Sequence, residues 1–336
     1  MVLLLSSMST LFITQQGAYL RNVGGRFVVT RKDEEILTLP EAMVECVVLL
    51  GMVQVSTQAA THLLDMGVPL LYLSRGGKFR GMLQPGYPKN IERRLAQYEC
   101  SIDPVFVRDA ARAVVEAKIE TSIRVLRKWE RNGWLQADLP TKALRQCIRR
   151  LSKGMDLAVL RAAEAQAAKI HFHVLANSLP PGFTWEGRNR RPPRDPVNAL
   201  LSLSYMLALG FAVSAAYAGG LDPHIGFLHG LEYGRPSFAL DVLEPLRAEW
   251  CDHTVMRVLQ AEELGPEDFE ETTAEGCRLT REGLNLFIRR FQDRAAPEEE
   301  GRGIRGVTQR LVRETQEAIR EHRALAWTAA LLEEAA

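Results

Sequence analysis

The sequence has almost no net charge: 42 Lys and Arg stand against 41 Asp and Glu, a formal +1. That balance argues against a protein that coats nucleic acid with its whole surface. Paired cysteines are missing too. The five present, Cys46, Cys100, Cys147, Cys251 and Cys277, are odd in number, lie far apart and form no C-x-x-C. Neither a disulfide framework nor a thiolate zinc site is indicated, and the cysteines read as reduced thiols of a cytoplasmic protein. The opening MVLLLSS lacks a basic segment before it and a small-residue cleavage site after it, so it is not expected to be a signal peptide, and Met8 is an alternative start. No apolar run is expected to reach the ~20 residues of a membrane span. Internal repeats and long low-complexity segments are absent as well.

What is there is unevenly placed. From Lys89 to Lys153 fifteen Lys and Arg face eight Asp and Glu, and Arg188, Arg190, Arg191 and Arg194 crowd one short loop. By contrast Glu262, Glu263, Glu267, Asp268, Glu270, Glu271 and Glu275 form an acidic stretch without a Lys or Arg. Each cluster alone fits a solvated helix face or loop; together they suggest a polyanion held on one side.

At 336 residues, 46% of them hydrophobic, the chain can fill two cores. Before Pro85 it reads as short strands rich in β-branched and aromatic residues: Thr10–Thr14, Ala18–Val23, Arg26–Thr30 and Ile36–Leu39, with Gly24-Gly25 and Lys32-Asp33 as turns. Val44–Leu50 and Pro69–Leu73 read as buried strands. Thr57–Met66 between them has helical spacing, ended by Gly67. PGYP at Pro85–Pro88 breaks the chain. After it apolar residues recur at i, i+3, i+4 and i+7 through Val105–Trp129, Met155–Leu175, Val197–Tyr217, Val242–Leu259, Leu279–Phe291 and Val307–Leu332. The expected fold is α+β: a small β-rich N-terminal domain (8–88) and a larger all-α domain (89–336).

Three segments carry candidate chemistry. Glu164 lies in an alanine-rich helix whose small neighbours would let a ligand or another backbone approach; it also fits an ordinary surface glutamate. His229 ends DPHIGFLHG at a loop-to-helix junction, where it could be a ligand or a satisfied helix-end group. In LDVLEPLR, Asp241 and Glu244 are three apart and share one helix face. Stabilisation of a helix N-terminus by Asp241 and a salt bridge from Glu244 to Arg247 would explain them equally well. In the loop before Val197, arginines could neutralise phosphates while Asp195-Pro196 starts the next helix with an acid at its positive end.

Taken in this order, RNRRPPRDPVNALLSLSY (Arg188–Tyr205), GLDPHIGFLHG (Gly220–Gly230) and GRPSFALDVLEPLR (Gly234–Arg247) resemble the CRISPR adaptation integrase family, the CRISPR-associated nucleases that insert captured DNA into a repeat array. The resemblance covers nearly the whole chain. It implies a divalent metal, Mg²⁺ or Mn²⁺, held by Glu164, His229 and Glu244, with Asp241 as the neighbouring acid. It also implies a homodimer and a small ferredoxin-like companion protein, with DNA as both captured fragment and target repeat. Ala165 stands where a glycine is common and His171 where a tyrosine is common; His171, about two helical turns after Glu164, could support the site from the same face. Two other readings fit the same residues. One is a metal-dependent nuclease of branched or repair DNA that never integrates. The other is an architectural DNA-binding subunit, which would need the arginines but no carboxylate–imidazole set.

Overall fold

Two sheets make up the N-terminal part, and the reason lies in which strands are apolar on both faces. The computed structural model describes residues 2–3, 9–75, 79–83, 90–152, 154–189, 192–272, 276–295 and 303–332. Met8, the PGYP break with Lys89, Lys153, Arg190, Arg191 and Glu275 lie outside them. In chain order the first elements are β1 (Val2–Leu3), β2 (Ser9–Ile13), β3 (Tyr19–Val23), β4 (Arg26–Arg31), β5 (Glu34–Pro40), β6 (Val44–Leu50), β7 (Gln54–Val55), α1 (Thr57–Asp65), β8 (Leu70–Leu73) and β9 (Phe79–Leu83). One sheet runs β5-β4-β3-β7 and the other β1-β2-β6-β8-β9. In the second, β2, β6 and β8 are parallel neighbours, while β1 and β9 pair antiparallel at its edges. The hairpins close as their residues demand: Gly24 and Gly25 have φ of +58° and +72°, and Lys32 and Asp33 take the same left-handed region at +48° and +67°, the geometry of a tight two-residue hairpin.

Side chains alternate across a strand, and here both faces are buried. Leu11, Ile13, Val47, Leu49 and Leu70 face the four-stranded sheet and α1, meeting Leu20, Phe27, Val29 and Leu63. Phe12, Val48, Leu50, Leu71 and Leu73 point the other way, into the core of the helices. Burying these five side chains contributes on the order of 10 kcal/mol, an upper figure because the unfolded chain already hides some of that surface.

The helical part comprises α2 (Ile91–Ile102), α3 (Pro104–Arg131), α4 (Asp138–Arg150), α5 (Leu157–Asn177), α6 (Pro196–Ala218), α7 (Ser237–Leu246), α8 (His253–Gln260), a hairpin of β10 (Phe269–Thr272) and β11 (Gly276–Leu279), then α9 (Arg281–Ala295), α10 (Ile304–Glu321) and α11 (Trp327–Leu332). Three expectations need correction. The acidic stretch is not all helix or loop, because Phe269–Thr272 forms a strand in which Glu270 pairs with Arg278 at 2.9 Å. The run from Val307 to Leu332 is two helices, broken where His322 turns left-handed at φ +49°. And one stretch does reach membrane-spanning length: α6 has 23 residues apolar enough to cross a bilayer, though most of it is buried inside the fold as a core helix. Asp195 caps α6 by accepting from the Asn198 N–H at 2.8 Å, with Pro196 in its first turn.

Candidate active site

Four elements meet at one cluster of charges. Glu164 comes from α5, Glu244 from α7, His229 from the loop before α7, and Lys118 from the middle of α3. The Lys118 ammonium pairs with Glu164 and lies 2.6 Å from Glu244 Oε2. Glu244 Oε1 receives Arg247 Nη1 at 3.0 Å and faces His229 Nε2 at 3.7 Å. Glu244 is only 3% exposed. Burial alone would raise its pKa, but Arg247, Lys118 and His229 together bring it down to about 2, so it is an anion at any physiological pH.

The loop that carries His229 is built around Asp241. That carboxylate is fully buried and accepts the backbone N–H groups of Phe227, Leu228 and His229 at 2.6, 3.0 and 2.9 Å. Its Oδ1 also lies 2.6 Å from His229 Nδ1. Asp241 thereby orients the ring so that Nε2 faces Glu244. Gly226 is required by space: a Cβ there would stand 2.6 Å from the Ser237 carbonyl carbon and 2.9 Å from Asp241 Oδ2. Arg161, one turn before Glu164 on α5, donates from Nε and Nη2 to the Leu228 carbonyl at 3.0 and 2.8 Å. The helix bearing one carboxylate is thereby tied to the histidine loop.

Pro245 sits inside α7. Lacking an N–H, it cannot close the usual helical hydrogen bond, and the helix widens over Arg247–Asp252 into a π-turn. The turn presents Arg247 to Glu244 and carries Asp252 at its end. Asp252 accepts the Tyr205 hydroxyl at 2.6 Å and meets His171 Nε2 at 2.9 Å. The guanidinium of Arg247 lies 5.0 Å from the centre of the Tyr205 ring, and that of Arg188 lies 5.2 Å from it. Burial, with Asp252 beside it, holds the Tyr205 hydroxyl well above its ordinary pKa. His171 is therefore engaged with Asp252, and Asp252, Tyr205 and Arg247 link it in turn to Glu244.

The structure thus brings Glu164, His229, Glu244 and Asp241 into one place. It sets His171 behind them, shows the Glu244–Arg247 salt bridge that the sequence offered, and adds Lys118, which the sequence offered only as one of fifteen basic residues. Of the loop arginines, Arg188 donates to Asn198 Oδ1 at 2.7 Å and to Ser202 Oγ at 3.1 Å, Arg194 is exposed, and Arg190 and Arg191 are not among the described residues. Two carboxylates and an imidazole whose Nε2 faces one of them suit a hard or borderline divalent cation. As the side chains stand, no three acidic, imidazole or thiol groups among the described residues converge closely enough to hold an ion; the Lys118 ammonium fills the space between the two glutamates.

A family model described as CRISPR associated protein Cas1 matches residues 11–293. The chain belongs to the Cas1 family. It is similar to a CRISPR-associated endonuclease Cas1 of Thermus thermophilus, 35% identical over 84% of this chain and 83% of the relative. Another of Chlorobaculum tepidum is 33% identical over 87% of each. The fold superposes on a Cas1 protein of Thermotoga maritima with a TM-score of 0.82, covering 95% of this chain and 99% of that one at 20% identity. A strand-rich N-terminal part followed by a mostly helical one is thus the Cas1 architecture.

Proposed function

We propose that this Cas1 protein is a divalent-metal-dependent DNA endonuclease and integrase that joins captured DNA fragments to a CRISPR repeat. The observation that carries the reading is that Glu164 and Glu244 meet on one cation, the Lys118 ammonium, with His229 Nε2 3.7 Å from the other oxygen of Glu244. Glu164, Glu244 and His229 Nε2 would hold the ion. An ion bound there supplies electrophilic activation of a phosphodiester and stabilises the charge that develops in in-line displacement.

The chain's own residues prepare that chemistry. Asp241 orients the ring of His229, Arg247 fixes one oxygen of Glu244, and Arg161 holds the histidine loop against α5. A DNA 3′ hydroxyl attacking the repeat phosphodiester forms one P–O bond as another breaks, which is joining; water in the same position gives cutting. Exposed Lys142, Arg145, Arg149 and Arg150 on α4, a helix packed on α3 and α5, are suited to phosphate contacts, as are Arg194 and its neighbours Arg190 and Arg191. Mg²⁺ and Mn²⁺ both match the donor set. The open edges of the two N-terminal sheets favour a homodimer formed through that part, and family membership favours a small ferredoxin-like companion. The five cysteines are free and buried, in keeping with a reducing cytoplasm.

The test replaces each ligand in turn. Glu164→Gln, His229→Gln and Glu244→Gln are each expected to remove Mn²⁺ binding measured by calorimetry, and to lower cutting and joining on a supercoiled array plasmid by at least about 100-fold, with the circular dichroism unchanged. Wild-type activity in any of the three at saturating metal removes that residue from the ligand set. Cutting without joining on the same plasmid would mark a nuclease that does not integrate.

A further inference from the structure

Lys118 is placed too specifically to be one more basic residue on a long helix. Its side chain is 11% exposed, and its ammonium touches both carboxylates that the metal reading needs. The two oxygens of Glu244 are divided: Oε1 serves Arg247 and faces His229, while Oε2 serves Lys118. Glu164 and Glu244 would hold an ion together only if the ammonium that now pairs with both gave way. Arg247 approaches from the π-turn on the other oxygen, the one that His229 faces.

Charge makes the same point. Glu164 and Glu244 carry two negative charges, and Lys118 and Arg247 balance them. A divalent ion added beside them would lie within a few ångström of a like charge, with Asp241 behind His229 as a further carboxylate nearby, and the phosphates of bound DNA would relieve that repulsion. Lysine can yield where arginine could not: its ammonium is a point charge on a flexible four-carbon stem, with three donors that can turn to a new acceptor. Displaced from the carboxylates but still rooted in α3, it can reach little other than the edge of the site, where a phosphate oxygen would arrive.

We propose that Lys118 is a resident counter-cation of this centre: it holds Glu164 and Glu244 in ligating posture in the metal-free protein, gives up its place to the divalent ion, and then donates to the DNA phosphate. The proposal rests on the metal reading above, and its competitor is a plain structural role in which Lys118 only neutralises a buried glutamate.

The two differ in the sign of one measurement. Lys118→Met keeps most of the length of the side chain and removes the charge, leaving Arg247 on Glu244. If the ammonium competes with the ion, Mn²⁺ measured by calorimetry without DNA binds tighter in this variant, by roughly tenfold for one like charge removed. A structural lysine predicts weaker or unchanged binding, because the glutamates would lose their posture. Strand joining should nevertheless fall by about 100-fold at saturating metal, because a donor to the phosphate is gone. Lys118→Gln, neutral but polar, should shift Mn²⁺ affinity in the same direction. Should wild type bind Mn²⁺ in a way that Glu244→Gln abolishes while neither Lys118 variant binds tighter, the counter-cation role is wrong and the metal reading survives. Unfolding of both variants would likewise favour the structural role. Absence of Glu244-dependent Mn²⁺ binding in wild type and variants alike overturns the metal reading and this proposal together.

Discussion

Trp129 donates its indole N–H to His253 Nδ1 at 2.8 Å, so the imidazole must be neutral there, because a protonated ring has no lone pair to accept with. Burial, with Arg294, Lys128 and Arg257 nearby, pushes its pKa from 6.5 down to about 2. Above the unfolded value both states are neutral and pH has no effect through this group. Below it the unfolded chain takes up a proton that the folded one refuses, so stability falls with falling pH by about 1.4 kcal/mol per unit. His253→Gln should flatten that part of the curve, read as urea midpoints by tryptophan fluorescence at several pH values below 6.5. Parallel curves for the two proteins would mean that His253 does not titrate on unfolding. The residue scale is also where sequence reading reached least far. Glu164, His229 and Glu244 were singled out with an ordinary structural explanation beside each, and the Glu244–Arg247 salt bridge offered as such an explanation is present at 3.0 Å. Lys118 carried no signal, because a lysine on a helix rich in Lys and Arg says nothing about which way it points.

At the scale of elements, the loop from Asp222 to Gly230 matters most, because it has little secondary structure of its own and its His229 end is gathered on the Asp241 carboxylate. Gly226→Ala puts a methyl group against the Ser237 backbone and Asp241; the loop must move, and with it the N–H groups that Asp241 accepts. Stability should fall by about 2–4 kcal/mol, and the His229 ring should lose its register with Glu244, so Mn²⁺ binding should weaken more than DNA binding does. A crystal structure of the variant with the loop unmoved would remove this account. The motif was legible in the sequence; its clamp was not, because a carboxylate twelve residues on and a proline-induced π-turn are tertiary facts. Elsewhere legibility followed burial. Strands β4 and β6 and helices α3 and α6 are visible because their apolar residues are the ones they bury. Helix α2 is obscured because Ile91, Leu95, Tyr98 and Ile102 all face out, so its apolar pattern marks no buried face. In α4 the buried side chains are Thr141, Leu144 and Cys147 while Leu139 is 79% exposed, which defeats the same rule.

For the whole molecule, the sequence suggests two domains split at a proline-rich break, yet the packing ties the five-stranded sheet to the helices through one of its faces. Leu71 illustrates the joint: it is 2% exposed, and a Cβ added to Gly210 of α6 would lie 2.4 Å from its Cδ2, so sheet and helix approach as closely as a glycine permits. Hydrogen bonds cross the same seam, from Gln292 Nε2 to the Thr10 carbonyl at 2.7 Å and from Thr14 Oγ1 to Asn285 Oδ1 at 2.9 Å. Two units that share a continuous core should unfold together, since exposing the helical face of the sheet also uncovers α6 and α9. Calorimetry of the whole chain is therefore expected to give one transition with equal calorimetric and van't Hoff enthalpies. Leu71→Ala should lower stability by about 2–5 kcal/mol and speed hydrogen exchange on both sides of the joint, in β6 and β8 as well as in α6. Two resolved transitions, or exchange that rises in the strands alone, would show instead that the sheet is an independent domain leaning on the helices, and the apolar face of Phe12, Val48, Leu50, Leu71 and Leu73 would then contribute far less than its burial suggests.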